Sequence, residues 1–195
     1  MGATAVPGVR PKRADAQRNR ERILVAAKEV FGEQGAEASM EEVGRVAEVG
    51  VGTLYRHFPT KQVLLGDLLA ERFRLFHAEA ARALESEDDP WEAFAGTLRC
   101  NAESASLDVG LQDALFRGDV SWELAAEPLA ALTEAMSEII RRGQKAGVIR
   151  SDFTVSDIPV MMCGVSSAMA NCHPDGTPMD WRRHLELLLD GVNTS

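Results

Sequence analysis

The polar side chains with the clearest chemical pattern lie in residues 39–61, SMEEVGRVAEVGVGTLYRHFPTK. At about 100° per residue, a helix over residues 51–58 gathers four residues in one sector: Gly52, Thr53, Arg56 and His57. That sector offers hydroxyl, guanidinium and imidazole groups without a carboxylate. A glycine in an exposed helix costs roughly 1 kcal/mol relative to alanine, so Gly52 indicates close approach by another macromolecule. A helix-turn-helix whose second helix enters the DNA major groove has all of these features.

Two short helices must position this polar face. Ser39 and Glu42 form a capping-box pattern, which predicts a helix beginning at Met40, and Gly50 is a tolerable N-cap for the second helix. The opposite sector of the second helix is expected to pack on the first: Val51, Leu54, Tyr55 and Phe58. The alternative for the whole stretch is an ordinary helical hairpin in a bundle core. For single residues, the alternatives are a core position for Tyr55 and a cap at the helix end for His57.

Charge is distributed unevenly along the chain. Its 195 residues carry a net charge of −9, yet residues 1–28 hold seven basic side chains against two acidic ones. This asymmetry suggests a basic end that meets phosphate and an acidic body that does not. Residues 1–13 are predicted to form a flexible basic arm, either solvated or in contact with DNA.

Composition favours a globular cytoplasmic protein. Hydrophobic residues make up 45% and charged residues 26%, and no apolar run approaches the ~18 residues of a membrane span. The N-terminus lacks the apolar region of a secretory signal, so no membrane partner is expected. Three cysteines without a CxxC pair are interpreted as reduced, mostly buried thiols.

Helical periodicity without any strand pattern predicts an all-α fold. Thr60 is expected to cap a long helix over residues 61–84, which links the polar stretch to the rest of the chain. Asp89 is expected to cap the next helix, with Pro90 at its first position. The segment over residues 155–171 is apolar nearly all round, which predicts burial on every side. The other predicted helices cover residues 14–31, 90–106, 111–117, 128–147 and 181–192.

At this point the residues match a family. The run GVGTLYRHFPTKQVLL, after a capped helix and a basic first helix, resembles the TetR family of bacterial one-component repressors, with a match over residues 20–69. RRGQKAGVIRSD at residues 141–152 is similar to a common junction between the family's last helical layers. The tail WRRHLELLLDGV is similar to the last helix of many actinobacterial members.

The resemblance implies an Ω-shaped homodimer on a double-stranded, pseudo-palindromic DNA operator. Residues 14–60 would be the helix-turn-helix DNA-binding domain, and residues 61–195 the ligand-binding and dimerisation domain. A small-molecule effector would relieve repression by shifting the separation of the two DNA-reading heads. With Gly52, the predicted DNA-binding residues are Ser39 and Lys61 on phosphates and Val51, Thr53, Tyr55, Arg56 and His57 at the DNA face.

The chain departs from the family in the turn between its second and third helices. Glu48 stands where glycine is usual, and Gly50 stands where a serine or threonine cap is usual. A glutamate in a left-handed conformation is strained by about 1 kcal/mol or more. The turn is therefore expected to differ in shape from the usual one.

Aromatic and methionine side chains form adaptable apolar cavities, which predicts a largely apolar ligand. The candidate lining residues, which are otherwise plain core, are Trp91, Phe94, Phe116, Trp122, Met136, Met162 and Met169. The apolar last two helices are the candidate dimer interface, through Ile158, Val165, Trp181, Leu185, Leu188 and Leu189.

Three other functions are weighed against this one. A metal sensor would use Cys163, Cys172 and His173 with His77 or His184, but zinc-like pair spacing is missing, so no metal site is predicted. The sequence lacks GxSxG, HExxH, GxGxxG and P-loop patterns, so neither an enzyme nor a cofactor is predicted. The remaining alternative is a helical regulator or adaptor whose C-terminal domain binds a protein rather than a metabolite.

Overall fold

The computed structural model describes residues 12–86, 89–117 and 119–194, except for the side chains of residues 12, 13 and 116. Within these residues the chain forms nine α-helices, and its β structure is limited to two isolated bridges, which confirms the all-α prediction. The helices are α1 (Lys12–Gln34), α2 (Met40–Val46), α3 (Val51–His57), α4 (Lys61–Glu85), α5 (Pro90–Ser106), α6 (Val109–Arg117), α7 (Ala126–Lys145), α8 (Asp157–Ala170) and α9 (Trp181–Val192).

Side-chain caps fix three of the predicted helix starts. The hydroxyl oxygens of Ser39 and Thr60 accept hydrogen bonds from backbone N–H groups three residues on, at 3.2 and 3.3 Å. Asp89 accepts from the second residue of α5 at 2.9 Å, ahead of Pro90 at the first position. Only half of the predicted capping box forms, because the Glu42 carboxylate binds Arg45 in the same helix.

The helix boundaries differ modestly from those predicted. Residues 12 and 13, predicted to belong to the arm, begin α1, and the rest of the arm lies outside the described residues. Gly32 lies inside α1 rather than at its end, and α7 begins at Ala126 with Pro128 as its third residue. In the part of the chain described, no helix is long and apolar enough to cross a bilayer.

The first hydrophobic core joins α1, α2, α3 and the N-terminal half of α4. Its buried side chains include Ile23, Phe31 and Phe58. Helix α6 contributes Leu111 and Ala114 to the same core, although it lies within the predicted C-terminal domain by sequence. The three-helix unit that carries α3 is therefore completed by a helix from beyond residue 100.

The second core lies between α5, α7, α8, α9 and the C-terminal half of α4, around Phe94, Ile139 and Leu189. Helix α4 belongs to both cores, with Leu68 in the first and Ala80 in the second. This continuous helix of 25 residues passes from the first core to the second, as predicted for the long helix.

The prediction that the apolar α8 is buried on every side is wrong for the single chain. Only Val165 and Ser166 of this helix are buried, and Val160 is 75% exposed. The physical reason is that α8 packs against α5, α6 and α9, which cover one side of it. The contacts within one chain therefore do not explain why α8 is apolar on its other sides.

Candidate nucleic-acid interface

Helix α3 presents the predicted polar face outward. Leu54 and Phe58 are fully buried and anchor the helix on the first core. Arg56 is exposed, while Thr53 and His57 are half-buried. Among the described residues, Arg56 has no hydrogen-bond or ion-pair partner, so its guanidinium is free to bind another molecule.

Val51 and Tyr55 are not buried against the preceding helix as the helical wheel predicted. Val51 is 53% exposed and the Tyr55 ring is also exposed. The Tyr55 hydroxyl donates to a Glu41 carboxylate oxygen at 3.0 Å, which raises the pKa of Tyr55. The buried side of α3 is centred on Leu54 and Phe58, so Val51 and Tyr55 lie at its margin, beside the polar face.

Gly52 lies in open space, because a Cβ added there would meet no heavy atom of the chain within 4 Å. We expect Gly52→Ala to raise the free energy of unfolding by about 0.5–1 kcal/mol, through helix propensity alone. DNA binding should weaken by about 1 kcal/mol or more, the range that one disturbed base contact costs. Thermal unfolding and DNA titration of the same preparation measure the two effects.

Gly96 in α5 supplies the matched control, since a Cβ there also meets nothing within 4 Å. Gly96→Ala should stabilise the protein comparably without a change in DNA affinity. Unchanged DNA affinity of Gly52→Ala would contradict a close approach at this position.

The turn before α3 keeps a tight conformation without the usual glycine. Glu48 adopts a left-handed backbone with φ of 50°, which costs about 1–2 kcal/mol for a residue with a side chain. Arg22 of α1 donates to the Glu48 carbonyl oxygen at 3.4 Å and pairs with its carboxylate at 3.2 Å. Gly50 caps α3 without a side-chain hydrogen bond. Glu48 therefore adopts the left-handed conformation itself. The departure from the family pattern changes the contacts of the turn, through the Arg22–Glu48 pair and the missing side-chain cap at Gly50.

The cations of α1 are less free than the charge count suggests. Arg20 pairs with Asp67 of α4 at 2.5 Å, and Lys28 pairs with Glu71 at 2.8 Å. Arg22 is held by Glu48, and Arg18 by Asp15. These carboxylates neutralise α1 locally, and Asp67 and Glu71 tie it to α4.

Lys61 has a different position from the one implied by the family resemblance. Its ammonium donates to the carbonyl oxygens of Ala36 and Ala38 at 2.5 and 2.7 Å, and lies 5.3 Å from the centre of the Phe31 ring. With its ammonium occupied in this way, Lys61 fixes the connection between α1 and α2 rather than extending to a phosphate.

The candidate ligand residues do not form one group. Trp91, Phe94, Met136, Met162 and Met169 meet in the second core, where Phe94 and Met136 are buried. Trp122 is 57% exposed on a short 3₁₀ turn packed against α4, so it does not join them. Phe116 is in α6, and its side chain lies outside the described residues.

The candidate dimer residues divide in the same way. Val165, Leu185 and Leu189 are buried in the second core of one chain, so their side chains are not available to a second chain, contrary to the prediction. Ile158, Trp181 and Leu188 are half-buried. The sequence pattern missed Val160 and Leu187, which are the exposed large apolar side chains of α8 and α9.

The cysteines and histidines considered for a metal site do not form a cluster in the described residues. Cys100, Cys163 and Cys172 are free and exposed, so the prediction of mostly buried thiols is wrong. Each lies on an outward helix face or in the connection after α8. Within the described residues, no group of three His, Cys, Asp or Glu side chains is placed to hold a metal ion.

A polar chain between the two cores was not predicted. The Arg72 guanidinium of α4 donates to the side-chain oxygen of Gln112, and the Gln112 amide donates to the Ser166 hydroxyl at 2.9 Å. These residues come from α4, α6 and α8 and are far apart in sequence. No local spacing could have brought them together.

A small helix-turn-helix unit joined by one long helix to a larger helical body is the architecture of a one-component transcriptional regulator. Residues 23–68 match the N-terminal model of the tetR family of bacterial regulatory proteins. Residues 89–194, more than half of the chain, match the C-terminal domain of SbtR-like transcriptional regulators. The chain belongs to the TetR family, and the family resemblance of its sequence is confirmed.

Known relatives support this assignment. The repressor KstR of Mycolicibacterium smegmatis is 29% identical over 181 residues, covering 92% of this chain and 75% of that protein. A TetR regulator from Mycobacterium vanbaalenii is 34% identical, with a TM-score of 0.62 over 94% of this chain and 100% of that one. Thermus thermophilus FadR, a repressor solved with lauroyl-CoA, is 25% identical, with a TM-score of 0.57 and coverage of 88% and 94%.

Proposed function

We propose that this protein is a homodimeric, sequence-specific repressor of the bacterial cytoplasm that a small, largely apolar ligand releases from a pseudo-palindromic DNA operator. The observation that carries the proposal is the free guanidinium of Arg56 on the outward face of α3. Arginine forms bidentate hydrogen bonds with guanine in the major groove, and each such contact contributes about 1–3 kcal/mol of discrimination.

The surroundings of Arg56 fit a duplex. Gly52 leaves the backbone of α3 bare, and Val51 supplies an exposed apolar group for a thymine methyl. Thr53, Tyr55 and His57 flank Arg56 as further contacts. Ser39 accepts the backbone hydrogen bond at the start of α2, which leaves its hydroxyl hydrogen for a phosphate.

The homodimer is supported by the open sides of α8 and α9. Val160 and Leu187 are 75% and 57% exposed, beside half-buried Ile158 and Leu188. Covering such side chains contributes about 25 cal/mol for each Å² of apolar surface buried. Two heads related by a two-fold axis read two half-sites, which predicts the operator symmetry.

An apolar effector is supported by the composition of the second core and by one relative. Aromatic and methionine side chains meet there, and methionine adapts to irregular apolar shapes. The FadR relative was solved with lauroyl-CoA, which carries a long acyl chain. The ligand acts on DNA binding to the extent that it prefers one head spacing over the other.

Selection of DNA by the full-length protein from a random duplex library tests this function. The enriched sequences should contain two inverted half-sites, and sedimentation with one such duplex should give two chains per duplex. Absence of enrichment would refute the DNA-binding function. An enriched site bound by one chain would refute the symmetric dimer, and capture of a protein instead of DNA would favour the adaptor alternative.

A further inference from the structure

A cleft of about 750 Å³ opens where α1, α4 and the turn between α5 and α6 meet. This volume is within the range of small-molecule sites in proteins, about 300–1,000 Å³. We call it the joint cleft, because its walls combine α1, a helix of the first core, with the C-terminal end of α5, a helix of the second core. None of the aromatic and methionine residues predicted to bind ligand lines it; its principal wall residues are Lys28, Leu68, Arg72, Leu75, Phe76 and Leu107.

The joint cleft has an apolar wall that the chain leaves uncovered. Leu75 and Leu107 are 58% and 89% exposed, and Leu68 and Phe76 continue the same surface inward. An apolar ligand group placed against them would gain about 25 cal/mol for each Å² removed from water. The cleft therefore favours a ligand with an apolar body.

Arg72 is the cation of the cleft that lacks an ion pair. Its guanidinium donates to the Gln112 side chain, and within the described part of the chain it pairs with no carboxylate. Burial lowers the pKa of Arg72, and the charge of Asp108 partly offsets this effect. Because every fully buried side-chain nitrogen of the described residues has a partner, its remaining N–H groups are not completely enclosed by the chain. They offer the fork geometry that binds a carboxylate.

The other charges of the joint cleft limit the ligand to a single negative charge. Lys28 is neutralised by Glu71 at 2.8 Å, and Asp108 accepts the backbone N–H of Leu111 at 3.2 Å. Glu29 and Glu33 stand exposed on the α1 wall and repel anions, more strongly as the charge of the anion increases. One cation among these carboxylates suits a monocarboxylate better than a phosphate ester.

The joint cleft is placed to act on the DNA-reading unit. Arg72 connects through Gln112 to Ser166 of α8, and Gly110 of the cleft rests against the α1 backbone. A ligand that touches α1, α4 and α6 together prefers one arrangement of these helices, and this preference shifts the population of DNA-binding states. We propose that the joint cleft binds a monocarboxylate with an apolar body through Arg72 and that its occupancy changes DNA affinity.

This inference rests on the proposed function, and calorimetry on the full-length protein without DNA tests its binding step separately. Octanoate should bind about 10- to 100-fold more tightly than octanamide, the range expected for hydrogen bonds to a charged group. Arg72→Met, which keeps the alkyl stem, should abolish this difference. Arg74→Met should preserve it, because exposed Arg74 does not line the joint cleft. Equal affinities in the wild type, or an unchanged difference in Arg72→Met, would overturn the site.

If Arg72→Met fails to fold, Leu107→Asp is the variant that tests carboxylate binding in the joint cleft. The Leu107 side chain is 89% exposed, so its replacement should have little effect on folding. This variant should weaken octanoate binding more than octanamide binding, and equal effects on both would overturn the site. Octanoate should also change the affinity for the selected duplex at least about fivefold, the lower end of allosteric coupling. Binding at Arg72 without such a change would overturn the effector role alone. A protein that binds octanoate and selects no DNA would refute the proposed function and leave the site standing.

Discussion

Arg56→Ala should lower the preference for the selected operator over scrambled DNA by about 5- to 150-fold for each half-site, the equivalent of ~1–3 kcal/mol. The reason is that Arg56 is exposed on the outward face of α3 and has no partner among the described residues. A base contact carries sequence information, whereas a phosphate contact does not. Fluorescence anisotropy with operator and scrambled duplexes, each over a series of salt concentrations, measures the preference and its salt slope.

Arg45→Ala is the matched control for this substitution. Arg45 is exposed in the same unit, on α2, but two hydrogen bonds tie it to Glu42 at 2.7 and 3.0 Å. Its removal should leave the sequence preference intact. The Arg56 variant should keep its salt slope, because the slope falls by about 0.9 only for each phosphate that the protein no longer neutralises. A similar loss of preference in both variants, or a lower slope with unchanged preference in the Arg56 variant, would contradict base reading by Arg56.

Gly110→Ala should lower the free energy of unfolding by about 1–3 kcal/mol, the cost of overpacking a close contact. A Cβ at Gly110 would overlap the carbonyl oxygens of Phe31 and Gly32, which are backbone atoms and have no rotamer with which to yield. Helix α6 must then move away from the end of α1. In a chain of this size the melting temperature falls by about 2–4 °C for each kcal/mol.

The same substitution should change DNA affinity, because α6 is part of the core that holds α3. Thermal unfolding and operator titration check the two effects, and Gly96→Ala is again the control with an unobstructed Cβ. A melting temperature equal to that of the wild type would show that α6 can move away from α1 without loss of stability. A destabilised variant with wild-type DNA affinity would show that the position of α6 has no influence on DNA binding.

Local signals in the sequence were sufficient for the starts of helices. Ser39, Thr60 and Asp89 each cap their helix through their own side chain, over two or three residues, so sequence spacing alone defines these contacts. The match to the family predicted the architecture for a related reason. The run over residues 50–65 has the turn, aromatic and basic residues in register, and the described structure places its aromatic and basic residues on α3, directly after α3 and at the start of α4.

Local sequence spacing did not predict contacts between residues that are far apart in the chain. Nothing near Lys61 in sequence indicates that its ammonium binds carbonyl groups 23 and 25 residues away. The periodicity of α8 shows that the helix is apolar, but not which of its sides the same chain covers. Arg72, Gln112 and Ser166 meet only because α4, α6 and α8 converge, so the polar chain and the joint cleft needed the structure.

The contribution of α6 to the first core has a consequence for the order of events during synthesis. The segment with α1, α2 and α3 leaves the ribosome first, and domains of many proteins fold as they emerge. Here the core under α3 also requires Leu111, Ala114, Val120 and Ala125. At about 5–20 residues per second, these side chains follow the end of α3 by several seconds. A nascent or truncated chain that stops before α6 therefore has an unfinished core under α3.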